Sequence, residues 1–115
     1  MNGQYDAQAR AAAVRTDLLR RAFAGALHIV VTPGVLDLAA GETVDLALLL
    51  GRHYSGDWGD LDTHDRALND HGLLTGDRLF SCYIVDARTT IYIITEAEDD
   101  AGTRQATTAL LSDEY

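Results

Sequence analysis

The chain has 115 residues, 47% hydrophobic and 23% charged, the balance of an ordinary folded domain rather than of a disordered segment. Nine basic side chains, all Arg, stand against eighteen acidic ones; the net −9 excludes a general polyanion binder, and no direct nucleic-acid contact is expected. A single Cys excludes an intramolecular disulfide framework and a multi-cysteine zinc knuckle, which makes a reducing cytoplasm the expected location. No apolar run approaches the ~20 residues that cross a bilayer, and residues 1–25 lack a signal peptide's apolar segment, so no membrane association is expected.

Charge divides the chain unevenly. Residues 1–25 hold four Arg and two Asp, and the remaining ninety hold five Arg against sixteen acids. The first segment, about residues 5–25, is Ala-rich without Pro or interior Gly, which predicts a helical extension. Ala11, Val14, Leu18, Leu19, Ala22 and Ala26 share one broad face, although Arg15 intrudes on it. Such a helix packs on its own domain or on a sister chain, so a homodimer through it is one expectation.

Residues 27–32 are short, apolar and β-branched and read as a strand. Thr32-Pro33-Gly34 then opens a short helix, with Thr32 as cap and Pro33 at the first helical position, where its missing N–H costs nothing. Gly41 stops it, and Thr43 is expected to cap a second helix running to about His53, with Val44, Ala47, Leu48 and Leu50 inward. Gly56-Asp57-Trp58-Gly59 breaks either periodicity and reads as a loop. Asp62 or Thr63 opens a third helix to about Leu74.

After Gly76 the pattern changes to period two. Residues 78–85 and 89–96 alternate on either side of a hairpin-length Asp86-Ala87-Arg88, and an acidic turn leads into a last strand over 104–112. The fold expected is α+β: N-terminal helices on one face of a three- to four-stranded antiparallel sheet ending in a meander, with the first strand joining an edge. One domain spans residues 1–115, with the extension at 1–25, strand and helices at 27–75 and the meander at 78–112.

The densest polar segment, 55–77, holds Asp57, Asp60, Asp62, Asp65, Asp70 and Asp77, with His53, His64 and His71 in or beside it. A divalent-metal site is the sharp reading. The spacing argues against it: residues 60–65 lack an EF-hand's central Gly, and His64 and His71 stand two helical turns apart. Helix-start carboxylates and solvated imidazoles account for these residues, and no metal or cofactor is expected. Trp58, between two glycines, is either a plug at the end of the core or an exposed aromatic anchor; having only eight aromatics in the chain favours the plug. Cys82 and Ser81 have no general base at a recognisable spacing, and Cys82 is expected in the core. Tyr83 and Tyr92 are expected to pack across neighbouring strands.

Four segments in order carry a family resemblance: Val31-Thr32-Pro33-Gly34-Val35-Leu36, Arg52-His53-Tyr54-Ser55-Gly56-Asp57-Trp58-Gly59-Asp60, Ile93-Ile94-Thr95-Glu96-Ala97, and Thr107-Thr108-Ala109-Leu110-Leu111 before Asp113-Glu114-Tyr115. Together they resemble a family of small, mostly uncharacterised proteins of plasmids and integrative elements, some bearing automatic names borrowed from restriction–modification systems. The N-terminal helix lies outside that family's core, and the turn around residues 98–105 is longer. The resemblance implies a mobile-element origin and brings no catalytic residue with it.

These features lead to a non-enzymatic protein-binding module. Its expected partner has a basic surface, such as a CRISPR or restriction complex that an anti-CRISPR or anti-restriction inhibitor would block. The expected partner-binding residues are Tyr54, Asp57, Trp58, Asp60, Asp62, Asp65 and Asp70. The competing readings are a small metal-dependent hydrolase or nucleotide-handling enzyme built on 53–77, and an antitoxin or regulatory subunit.

Overall fold

The computed structural model describes residues 3–25 and 28–115, with side chains from residue 6 onward. In chain order the elements are helix α1 (Gly3–Phe23), strand β1 (His28–Val31), helices α2 (Pro33–Ala40), α3 (Leu46–Tyr54) and α4 (Thr63–Thr75), strands β2 (Leu79–Asp86), β3 (Thr89–Thr95) and β4 (Ala106–Leu111), and a closing 3₁₀ turn (Ser112–Glu114). The four strands form one sheet in the order β1-β4-β3-β2.

The class is α+β, and β1 does lie at an edge, but the sheet is mixed rather than antiparallel. The pairs β2–β3 and β3–β4 run antiparallel, whereas β1 runs parallel to β4, with His28 level with Ala106 and Val31 level with Ala109. Hairpin-type links force the first two directions. Three helices and two strands separate β1 from β4, so no tight turn dictates theirs.

Local chemistry sets the helix boundaries. Thr32 caps α2, its hydroxyl accepting from Val35 N–H at 3.5 Å, and Gly41 ends that helix. The cap of α3 is Asp45, not Thr43: its carboxylate accepts from Leu48 N–H at 3.0 Å. The helix therefore starts two positions later than expected at its cap, and Val44 is buried from the preceding turn. Asp62 caps α4 through Asp65 N–H at 2.8 Å, and Gly76 closes it in the left-handed conformation at φ 81°.

Alternation along the strands gives the sheet two unlike faces. Leu79, Ser81, Tyr83, Ile91, Ile93, Thr95, Thr107 and Ala109 are buried on one side. Val35, Val44 and Leu49 pack there over Tyr83, Ile91, Ile93 and Ala109. A second cluster joins Leu19 and Ala22 of α1 to Trp58, Leu73 and Leu79. Only the second half of α1 takes part. Residues 7–14 are all exposed, including Ala11 and Val14 from the expected buried face, while Ala26 lies outside the described residues. That projecting half raises the radius of gyration to 15.4 Å, against about 13 Å for a compact chain of this length. Among the described residues no helix is long and apolar enough to cross a membrane.

Candidate functional site

The Gly56–Asp60 segment is stitched to the outer edge of β2. Cys82 N–H donates to Trp58 O at 3.1 Å, and Asp60 N–H donates to Cys82 O at 2.6 Å. The Asp60 carboxylate takes Ile84 N–H at 2.8 Å, and one step along the same edge the Asn69 side chain exchanges two bonds with the backbone of Phe80, at 2.7 and 3.0 Å. Together they satisfy backbone groups that an edge strand would otherwise leave open. Gly59 is required twice over: its φ is 78°, and a Cβ there would collide with the Cys82 carbonyl.

Trp58 is 3% exposed and is a plug, not an anchor. Its indole N–H donates to Asp70 Oδ1 at 2.9 Å, and Arg15 donates to the same oxygen at 3.1 Å and to Gly56 O at 2.8 Å. Arg15 on the apolar side of α1 is thereby explained: it fastens that helix to the loop. Tyr54 is half-buried with its ring against Phe23 and His53, and its hydroxyl is buried with no partner among the described residues.

The carboxylates of the polar segment do not form one functional cluster. Asp57 pairs with Arg52 at 2.6 Å, and that guanidinium holds its carboxyl below the usual range. Arg52 also lies 4.6 Å over the ring of Tyr83, whose hydroxyl donates to Asp57 O at 2.7 Å and is pushed by burial up to about 12. Asp60 holds β2, Asp62 caps α4 and Asp70 holds Trp58 and Arg15. Only Asp65, of the proposed acidic contacts, has a carboxylate without a hydrogen-bond partner among the described residues. No three metal-ligating side chains come together among those residues.

His53 leaves the polar segment altogether. It is fully buried, with Nδ1 2.6 Å from Ser81 Oγ and Nε2 2.8 Å from Thr95 Oγ1, which in turn meets Thr107 Oγ1 at 2.8 Å. Burial lowers its pKa to about 3, so it is a neutral bridge between the Ser81 and Thr95 hydroxyls. Arg104, 3% exposed, is a second buried post that sequence reading passes over. Its guanidinium donates to Asp77 O at 2.7 Å, Glu96 O at 3.0 Å and Gly72 O at 3.1 Å, joining the end of α4 to both ends of the acidic turn. His53 had a usable signal: with Leu46, Leu49 and Leu50 it completes an i, i+3, i+4, i+7 stripe. Arg104 had none.

What remains is the other face of the sheet, where, among the described residues, no α-helix packs; most of its residues are half-buried, and Leu110 is 8% exposed. Across its four strands runs the row Phe80, Ile94, Thr108, Val30, beside a second row of Cys82, Tyr92 and Leu110. Cys82 is thus half-buried on this open face rather than in the core. Ile84 is 60% and Val30 48% exposed. Tyr115 packs edge-on against Phe80 and Tyr92, whose own rings are 4.7 Å apart. No Asp, Glu or Arg occupies these rows; Arg78 borders them, over Phe80 and donating to the Tyr115 hydroxyl at 3.0 Å. Acids lie around the border: Asp60 beside Ile84, Asp65 lining a hollow with Phe80 and Leu68, and Glu114 bonded to Leu111 N–H. Comparison with protein-family models, with curated proteins and with solved structures gives no match.

Proposed function

We propose that this chain is a non-enzymatic protein-binding module that uses the bare sheet face as its contact surface and the acids around it as a rim. The observation that carries the reading is an aromatic and β-branched face, without acidic or basic residues in its rows, on a chain of net charge −9. An apolar centre with a polar border is the anatomy of a protein interface, and an acidic border suits a partner whose own border is basic. The partner class favoured is a nucleic-acid-targeting defence complex of CRISPR or restriction type, whose polyanion groove supplies that charge; the motif resemblance to mobile-element proteins points the same way. Binding is favoured over chemistry because the groups with strongly shifted protonation, His53 and Tyr83, are both tied into internal bonds.

Affinity capture with the intact chain from host lysate, at low and high salt, tests this. A partner with nucleic-acid machinery should be retained at low salt, weakened at high salt, and lost with Ile84→Asp, a change at an exposed position that leaves the core alone. Retention of that partner by Ile84→Asp, or turnover of a small compound by the purified chain, would sink the proposal.

A further inference from the structure

We infer that the outer edge of β1 accepts an extended, basic-flanked segment of the partner as a fifth strand, an inference that rests on the protein-binding function proposed above. At the opposite edge the Gly56–Asp60 segment and Asn69 occupy the open backbone positions of β2. Among the described residues edge β1 has no such cover. Thr32 N–H donates to Ala109 O at 3.1 Å, so parallel-strand alternation turns the backbone of His28 and Val30 toward β4 and that of Ile29 and Val31 outward. Those outward N–H and C=O groups have no partner among the described residues. The strand His28-Ile29-Val30-Val31 is short, at four residues, but it carries no charge, no Pro and no bulge. Ile29 and Val30 are each 48% exposed.

Charge selects the occupant. At one end of β1, Thr32 Oγ1 donates to Glu114 Oε1 at 2.6 Å, with Asp113 exposed alongside. At the other end His28 is level with Ala106, where β4 emerges from the turn bearing Glu96, Glu98, Asp99 and Asp100. A second copy pairing antiparallel would set the Glu114 end of each chain against the acidic turn of the other, like charge against like. An extended segment with an apolar centre and Lys or Arg at both ends meets carboxylates at both ends instead. Its alternate side chains then lie beside Val30 and extend the bare face by one strand.

A fluorescent peptide of about ten residues, with an alternating Val/Thr centre and Lys at both ends, serves as the probe against the same peptide with Asp ends. The Lys-ended form should bind about tenfold more tightly and slow hydrogen exchange at the Ile29 and Val31 amides. Ile29→Pro removes an outward donor and spares the β4 ladder; it should weaken binding about tenfold with an unchanged circular dichroism spectrum. If that variant misfolds, amide exchange in the unaltered chain decides. No binding of the Lys-ended peptide, or binding without protection at Ile29 and Val31, overturns the inference. So does a concentration-dependent dimer abolished by Ile29→Pro, which would make a second copy the occupant. Capture of the lysate partner that survives Ile29→Pro and fails with Ile84→Asp removes the edge but keeps the face; capture that survives both removes the underlying function.

Discussion

At the β2 margin of the sheet, Trp58, Asp60 and Asn69 occupy the strand's open backbone groups and seal the adjoining core, while at the β1 margin two β-branched residues stand half-exposed with no backbone partner on their outer side among the described residues. Most acids of the polar segment gather at the first margin, where composition suggests a docking patch, yet there they cap, pair and bridge. The β1 strand at the second margin and the rows of the sheet face beside it hold no Asp, Glu or Arg, and their carboxylates stand only at the borders. Density of charge in a sequence therefore marks where this fold is fastened, and the uncommitted surface is found where charge is missing.

That contrast can be broken most severely at the clasp. Trp58→Ala removes the plug of the second core cluster and should cost about 3–5 kcal/mol in urea denaturation. A cost below about 1 kcal/mol would mean that the loop is not a structural seal. Arg104→Met leaves three carbonyls without their donor and should cost about 2–4 kcal/mol.

His53 sharpens the contrast through pH. Its folded pKa is near 3 and its unfolded value 6.5, so between these the unfolded chain binds the extra proton. The stabilisation is complete above the unfolded value and is lost as pH falls toward the folded one. Between about pH 5 and 6.5, where ordinary carboxylates are ionised in both states, stability should fall by on the order of 1.4 kcal/mol per pH unit. His53→Gln, which does not titrate, should remove this contribution to the slope; an unchanged slope would contradict the buried neutral imidazole. Smallest is the comparison of two acids in one segment. Asp70→Ala strips the partner from a buried indole N–H and should cost about 1–2 kcal/mol, whereas Asp65→Asn should stay within about 0.5 kcal/mol. Equal costs would erase the distinction between fastening and free carboxylates.

Much of the fold was legible in the sequence. The Thr32-Pro33 start, the Gly41 stop, the Asp62 cap and the period-two strands after Gly76 are local signals, and the structure follows them to within a residue or two. The parallel direction of β1 was not legible, because it follows from packing between strands far apart in the chain. Nor was the end of the body under α1: Ala11 and Val14 continue the apolar stripe of Leu18 and Leu19, and only tertiary contact shows that it outruns its support. For the proposed contacts, spacing identified the loop but not its job. Whether Trp58 turns in or out depends on Asp70 and Arg15, twelve and forty-three positions away.

The central claim, that partners meet the bare sheet face, is tested most directly by site-specific photocrosslinking. A photoreactive amino acid replaces either Ile84 on that face or Leu36, an equally bare apolar residue on the helical layer at 57% exposure. The intact chain irradiated in host lysate should give a discrete heavier band from position 84 and none from position 36. A band from position 36 alone would contradict the account.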